Sequence, residues 1–285
     1  MKRVLLVANS DRQGSVSSME SLAAWLHGRA EVAGCVVNIN APLDTVDADA
    51  VVAFGGDGTI LHVARRLGTR QVPVMGVNLG RLGYLAAVSP GAMREGVMEL
   101  LEGRSAISRR IMVRARMHVN GRVAWEAHGL NDAVVMSGTP GRIGEWVVTC
   151  DGRPLTTFRG DGIVFSTPTG STAYSLSAGG PILSPEMEAL VFTPVCPHEL
   201  ANRPLVVSRT EVLRVRPTAG HSWRLAVDGV SAPAENWAHG ELEVCVSERV
   251  FLLVHRGVDA RYDILRRKLG WGGSVNLNHD DDSQV

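Results

Sequence analysis

An α/β domain built on a parallel, doubly wound sheet, followed by a largely antiparallel β-rich domain, is the fold class that three features of the sequence predict. Through residue 103, short apolar runs alternate with stretches of helical periodicity, the pattern of successive βαβ units. From Ile111 onward the segments are short and β-rich, and Asn120-Gly121 between two alternating runs marks a hairpin. The chain has 285 residues, 45% of them hydrophobic. That length suits one large or two medium domains, and two is the preferred reading, with the second starting near residue 107.

Taken in order, Val4 to Ala8 is a first apolar strand, followed by a polar loop over Asn9 to Gly14 at its carboxyl end. Ser17 and Glu20 have capping-box spacing, and Met19, Leu22, Ala23 and Leu26 make one helical face. Cys35 to Val37, Ala50 to Phe54 and Val72 to Val77 read as further strands, with a helix after Thr59 on Ile60, Val63, Ala64 and Leu67. Ser89 and Pro90 read as the cap and first residue of a helix carrying Met93, Val97, Leu100 and Leu101. The β-rich part is expected over Ile111–Val119, Val123–Ala127, Leu130–Met136, Trp146–Cys150, Ile163–Ser166, Leu205–Val207, Val212–Val215, Leu225–Val227 and Val250–Val254. Tyr262 to Leu269 turns helical again, and residues 278–285 form an acidic tail expected to be disordered.

In a doubly wound sheet, ligands collect beyond the carboxyl ends of the strands. Two such ends are Gly55-Gly56-Asp57-Gly58 and the loop from Asn78 to Tyr84, so both are expected to meet in one crevice. The glycine turn joins a buried strand to a helix start, where backbone N–H groups and the helix dipole favour a phosphate. A carboxylate there is wrong for simple anion binding, so Asp57 is expected to handle a hydroxyl or a metal ion. The spacing is neither G-x-G-x-x-G nor a Walker A loop. Lys2 and Lys268 are the two lysines of the chain and neither adjoins a glycine-rich loop, so phosphate contacts are expected from Arg, backbone amides or metal.

Lys and Arg total 29 and Asp and Glu 29, a balance without the basic footprint of nucleic-acid binding or a polybasic membrane patch. No apolar run approaches a membrane span, and the N-terminal run breaks too soon for a secretory signal, so a soluble cytoplasmic protein is expected. Cys35, Cys150, Cys196 and Cys245 are scattered without a C-x-x-C pair, and no metal-ligand set is assigned.

Residues Gly160 to Pro181 pack small hydroxyl residues, glycines and Tyr174 around a strand end and a helix start, which suits a ribose or phosphate with Tyr174 stacking on a ring. The bland alternative is a Ser/Thr-rich cap on a short helix. In order along the chain, Gly55 to Thr59, Gly76 to Leu85, Asn131-Asp132, Gly160 to Pro181, Cys196-Pro197-His198, Asn202-Arg203-Pro204 and Asp228-Gly229 resemble the motif set of the NAD kinases, from about Val4 to Trp271. Lipid kinases and phosphofructokinases share the Gly-Gly-Asp-Gly turn but lack the second block.

The resemblance implies a Rossmann-like α/β domain over residues 1–106, a β-rich, β-sandwich-like NAD-binding domain over 107–258, and a segment 259–277 returning to the first. It implies phosphorylation of the adenosine ribose 2′-hydroxyl of NAD by ATP with Mg²⁺ or another divalent cation, usually in a homodimer or homotetramer; the balanced charge already argues against a nucleic-acid or membrane partner. Asp57 would face that hydroxyl as proton acceptor, Gly58 would meet phosphate, and Asn131 with Asp132 would hold the nucleosides. Arg142, Arg159, Asp161, Thr172, Ala173, Tyr174, Ser175, Leu176 and Ser177 match contact positions. His62 stands where many members have Arg, and Asp132 replaces their Glu. A non-catalytic dinucleotide sensor, or a related kinase acting on another nucleoside or a lipid, are the alternatives.

Overall fold

The computed structural model describes residues 2–37, 41–80, 83–86, 88–139, 141–199, 201–218, 222–233, 237, 239–255 and 259–271. Arg81 and Leu82, residues 272–277 of the returning segment and the acidic tail 278–285 lie outside the described residues.

Four strands, β1 (Arg3–Ala8), β2 (Glu31–Val36), β3 (Ala50–Phe54) and β4 (Val74–Val77), lie side by side in the order β2-β1-β3-β4, every pairing parallel. Alternation along the strands sends Val4, Leu6, Val52 and Phe54 to one face, against Met19, Leu22 and Leu26 of α1 (Ser15–Leu26) and Val97 and Leu100 of α3 (Met93–Glu102). Leu5, Val7, Val51 and Ala53 go to the other, against Ile60, Val63 and Ala64 of α2 (Asp57–Arg66). β1, β3 and β4 are buried on both faces, which explains why these runs are continuously apolar.

The rest of the chain is mostly β: β5 (Ala106–Val119), β6 (Arg122–Gly129), β7 (Asp132–Ser137), β8 (Gly144–Cys150), β9 (Arg153–Gly160) and β10 (Gly162–Ser166). A one-turn helix α4 (Tyr174–Ser177) follows, then β11 (Ala189–Val195), β12 (Leu205–Ser208), β13 (Leu213–Pro217), β14 (Trp223–Val227), β15 (Val230–Ser231), β16 (Glu241–His255) and a final helix α5 (Asp259–Leu269). Six of these strands form an antiparallel sheet ordered β12-β11-β10-β7-β14-β15. The others extend the parallel sheet, because β16 pairs with β4 at Leu253↔Val74, with β13 over Leu213 to Val215, and with β5 along nearly its whole length. The first sheet therefore has ten strands and runs from the α/β half into the β-rich half.

The two sheets face each other across a core that includes Val113, Trp146, Phe158 and Leu242 from one and Val135, Phe165, Phe192 and Leu225 from the other, a sandwich as expected. Trp146 donates its indole N–H to the Gly160 carbonyl at 3.0 Å and Trp223 to the Trp237 carbonyl at 2.9 Å, so both buried indoles are satisfied. Asn120 and Gly121 have φ of 50° and 74°, the paired positive angles that a two-residue hairpin between β5 and β6 requires.

Several expectations differ from the structure. No capping box forms at Ser17 and Glu20: α1 starts at Ser15 behind Gly14, because the buried Ser15 donates its hydroxyl to the Asn9 carbonyl and draws the helix start three residues back. Pro90 opens a 3₁₀ turn, Pro90–Ala92, with no side-chain bond from Ser89, and α3 proper begins at Met93. β9, β11 and the first half of β16 were not expected. In β9 and β16 charged residues interrupt the apolar alternation, and long-range pairing defines the strands.

Phe251 on β16 is 2% exposed and shares a cluster with Ile60 and Val63 of α2 and with Leu130. Phe251→Ala is expected to destabilise the whole chain by about 3–5 kcal/mol. A shift in the denaturation midpoint followed by far-UV circular dichroism checks this; an unchanged midpoint would show that the cluster is not part of the cooperative core.

Candidate active site

The turn after β3 delivers Asp57 to the first position of α2, and the carboxylate then reaches across to the chain beyond β4. Its Oδ2 accepts from the Tyr84 amide at 2.8 Å, and its Oδ1 from the amides of Leu85 at 2.9 Å and Ala86 at 3.1 Å. Gly83 permits this approach, since a Cβ there would collide with Asp57 Oδ1. A carboxylate has about four lone-pair sites, so three amides leave one for a further donor. Asp57, Gly55, Gly56, Asn78, Gly80 and Gly83 line a cleft of about 500 Å³ at the strand ends, where the two loops were expected to converge.

Two further walls of this cleft come from elsewhere in the sequence. Arg12 and Gln13 enter from the loop after β1, and Lys268 enters from the last turn of α5. The expectation that no lysine serves a glycine-rich loop is thus corrected: α5 packs back through the buried Ile264 and sets the Lys268 ammonium 5.5 Å from the centre of the Tyr84 ring. Sequence distance hid this residue. Its only local trace is the basic last turn Arg266-Arg267-Lys268.

A second aspartate organises Asn131 and Asp132 in the same way. Asp228, in the turn between β14 and β15 with φ of 47°, accepts from the amides of Leu130 at 2.7 Å, Asn131 at 2.8 Å and Asp132 at 3.1 Å. Thr167 donates its hydroxyl to the Leu130 carbonyl at 2.6 Å and its amide to the Asn131 carbonyl at 2.8 Å, while a Cβ on Gly170 would strike Asn131. The start of β7 and the turn after β10 are therefore one rigid unit. Leu130 also packs with Ile60, which sets this unit beside α2.

Burial dominates the electrostatics here. The carboxyl of Asp132, 6% exposed, is pushed from its ordinary 3.8 up to about 7 by desolvation and then by the neighbouring Asp228. Asp228 is itself raised by burial, against the pull of its three amides and Arg65. On α2, His62 accepts at Nδ1 from the Arg65 guanidinium at 2.9 Å, since Arg can only donate. Burial and then Arg65 and Arg66 push its pKa down, so His62 is a neutral ring and not a substitute for an Arg charge.

The remaining site residues fall into two groups. Thr172 and Ala173 follow the turn at Gly170, and Tyr174, Ser175, Leu176 and Ser177 form α4. Tyr174 is exposed, whereas Ser175 is fully buried and shares a hydrogen bond of 2.9 Å with Thr193. Arg142 lies in the turn before β8, Arg159 on β9 and Asp161 between β9 and β10, where Gly144 pairs with Gly160 and the Ser137 amide donates to the Asp161 carbonyl at 2.8 Å. They do not line the Asp57 cleft. Among the described residues, the side chains grouped as metal ligands could be are Cys150, Asp151 and Glu211, on and beside the β8–β9 hairpin and outside the cleft. No helix of the described residues is long and apolar enough to cross a membrane.

The family model for the ATP-NAD kinase N-terminal domain matches residues 41–105, and that for the ATP-NAD kinase C-terminal domain matches residues 130–256. An NAD kinase of Syntrophotalea carbinolica is 38% identical over 95% of this chain and 99% of its own, and one of Geotalea daltonii is 37% identical over the same shares. Among solved structures, the NAD kinase of Archaeoglobus fulgidus in complex with ATP superposes with a TM-score of 0.75 at 26% identity, over 96% of this chain and all of the other. Yeast NADH kinase complexed with NADH shares the fold, with a TM-score of 0.86 at 24% identity over 97% and 89% of the two chains.

The raised Asp132 pKa has a thermodynamic consequence. Between about pH 4 and 7 the folded state holds a proton that the unfolded state has released, so stability falls as pH rises through that window and levels off above it. Asp132→Asn is expected to flatten this part of the profile, with a gain in stability at pH 8 relative to the parent. Thermal unfolding of both proteins from pH 5 to 8 checks it; parallel profiles would place the proton elsewhere.

Proposed function

The chain belongs to the ATP-NAD kinase family, and from that premise we propose how its residues carry out the reaction. It is a kinase that transfers the terminal phosphoryl group of ATP to the 2′-hydroxyl of the adenosine ribose of NAD, giving NADP and ADP. The observation that carries the mechanism is the Asp57 carboxylate, clamped by three amides with one acceptor site left, at the edge of the glycine cleft. That site accepts the ribose 2′-hydroxyl and orients its oxygen toward the γ-phosphorus. As the new O–P bond forms and the bond to the β-phosphate oxygen breaks, the hydroxyl proton passes to Asp57 and ADP leaves with the electron pair.

Phosphate room at the head of α2 supports this reading. A Cβ at Gly56 or Gly58 would meet no protein atom within 4 Å, so the fold itself does not demand glycine there. A phosphate resting on the first free amides of α2 does. Among the described residues the cleft carries Asp57 as its one carboxylate, with most of its acceptor capacity used, so the divalent cation is best carried in by ATP as part of the substrate. That cation neutralises charge developing on the transferred group.

Asn131 and Asp132 hold the nucleosides of NAD, with the Thr172 to Ser177 segment and its exposed Tyr174 flanking them; Arg142, Arg159 and Asp161 are proposed to contact the dinucleotide. Leu205 and Val206, each 40% exposed on the edge strand β12, support association into a homodimer or homotetramer. ATP and NAD as substrates fit a cytoplasmic reaction.

Asp57→Asn is expected to keep NAD binding within about tenfold and to lower kcat by roughly 10²-fold or more, the range of general-base losses. Purified protein with NAD, ATP and Mg²⁺, with NADP read by an NADP-specific dehydrogenase, checks this. A variant retaining over half the activity removes Asp57 from the proton-transfer role. No NADP from the parent protein, together with a rise in melting temperature on adding NAD, would point to a dinucleotide sensor.

A further inference from the structure

The cleft at the head of α2 is chemically unbalanced. Among the described residues its charged lining is Arg12, Lys268 and Asp57, and the Asp57 charge already faces three backbone N–H groups. Among the described residues neither Arg12 nor Lys268 forms an ion pair. Two uncompensated cations beside free helix-start amides, around a space of about 500 Å³, describe a receptor for a polyanion larger than one phosphate. The Lys268 ammonium is also held at one wall, because the face of the Tyr84 ring lies beneath it at 5.5 Å. Tyr84 is the residue whose amide binds Asp57 Oδ2, so the cation and the carboxylate are registered to each other through one residue.

We infer that Lys268, from the last turn of α5, binds the triphosphate of the ATP donor together with Arg12, so that α5 completes the donor half of the site. This rests on the kinase reading above and adds a residue to it. Asp57 positions the acceptor hydroxyl, while Lys268 neutralises the donor across the same cleft. Lys is suited to this place as a compact point charge on a long stem, reaching from α5 over the ring of Tyr84.

The test separates charge from packing. Lys268→Met keeps the stem and most of the ring contact but removes the charge; Lys268→Ala removes both, and Lys268→Arg keeps the charge. Both neutral variants are expected to raise the KM for ATP by about tenfold or more, as for loss of one hydrogen bond to a charged group. The KM for NAD should stay within about twofold, and Lys268→Arg should recover part of the loss. Calorimetric binding of inorganic tripolyphosphate to the free protein, without NAD, should weaken by a similar factor in the Met variant. Unchanged KM for ATP and unchanged tripolyphosphate affinity in an active enzyme would overturn the inference and leave the kinase reading intact. Equal rises in both KM values would also overturn it, as the mark of a purely structural role. If the parent makes no NADP while tripolyphosphate binding still depends on Lys268, the anion site stands and the assigned reaction falls.

Discussion

Two carboxylates, each accepting hydrogen bonds from three consecutive backbone amides, hold the site together. Asp57 binds the amides of Tyr84, Leu85 and Ala86, and Asp228 binds those of Leu130, Asn131 and Asp132. Three amides aimed at one point would repel one another and lose their partners if the carboxylate were absent; with it, irregular backbone becomes as constrained as a helix or strand. Asp57 thereby ties the ends of β3 and β4 together at the cleft, and Asp228 ties the start of β7 to the turn of β14 and β15. The two clamps differ in what remains free. Asp57 lines the cleft with an acceptor site in hand, whereas Asp228 is half-buried and spent on structure.

The second clamp creates the electrostatic tension in the molecule. Placing Asp228 under the Leu130 to Asp132 turn puts a second acidic group beside the buried Asp132, which is desolvated and so holds its proton to about pH 7. Near neutrality a carboxyl group in that state is present both as a hydrogen-bond donor and as an acceptor. Surrounding contacts keep the arrangement in place: Thr167 anchors the Leu130 and Asn131 carbonyls, and Leu130 is packed under α2. Such a poised, costly group persists where the surrounding fold over-determines it.

Continuity of the first sheet explains how distant segments reach one place. β16 pairs with β4 on one side and with β5 on the other, so the parallel strands and one wall of the sandwich are a single hydrogen-bonded surface. α5 is the next element after β16, and its last turn sets Lys268 over the ring of Tyr84.

Much of this was legible in the sequence because it depends on neighbours along the chain. The apolar run Ala50 to Phe54 ending on glycines, the 3.6-residue spacing after Thr59 and the Asn120-Gly121 turn each report a local backbone preference, and each element stands where its residues put it. Ser17 misled because a hydroxyl two residues earlier found the Asn9 carbonyl, a contact that spacing does not encode. The pairing of β16 with β4, the three-amide clamp on Asp228, the raised pKa of Asp132 and the arrival of Lys268 at the glycine cleft were decided only by the tertiary structure. Each depends on groups far apart in sequence that are desolvated or aligned together by the packed sheets, and desolvation and alignment in space leave no period in the chain to read.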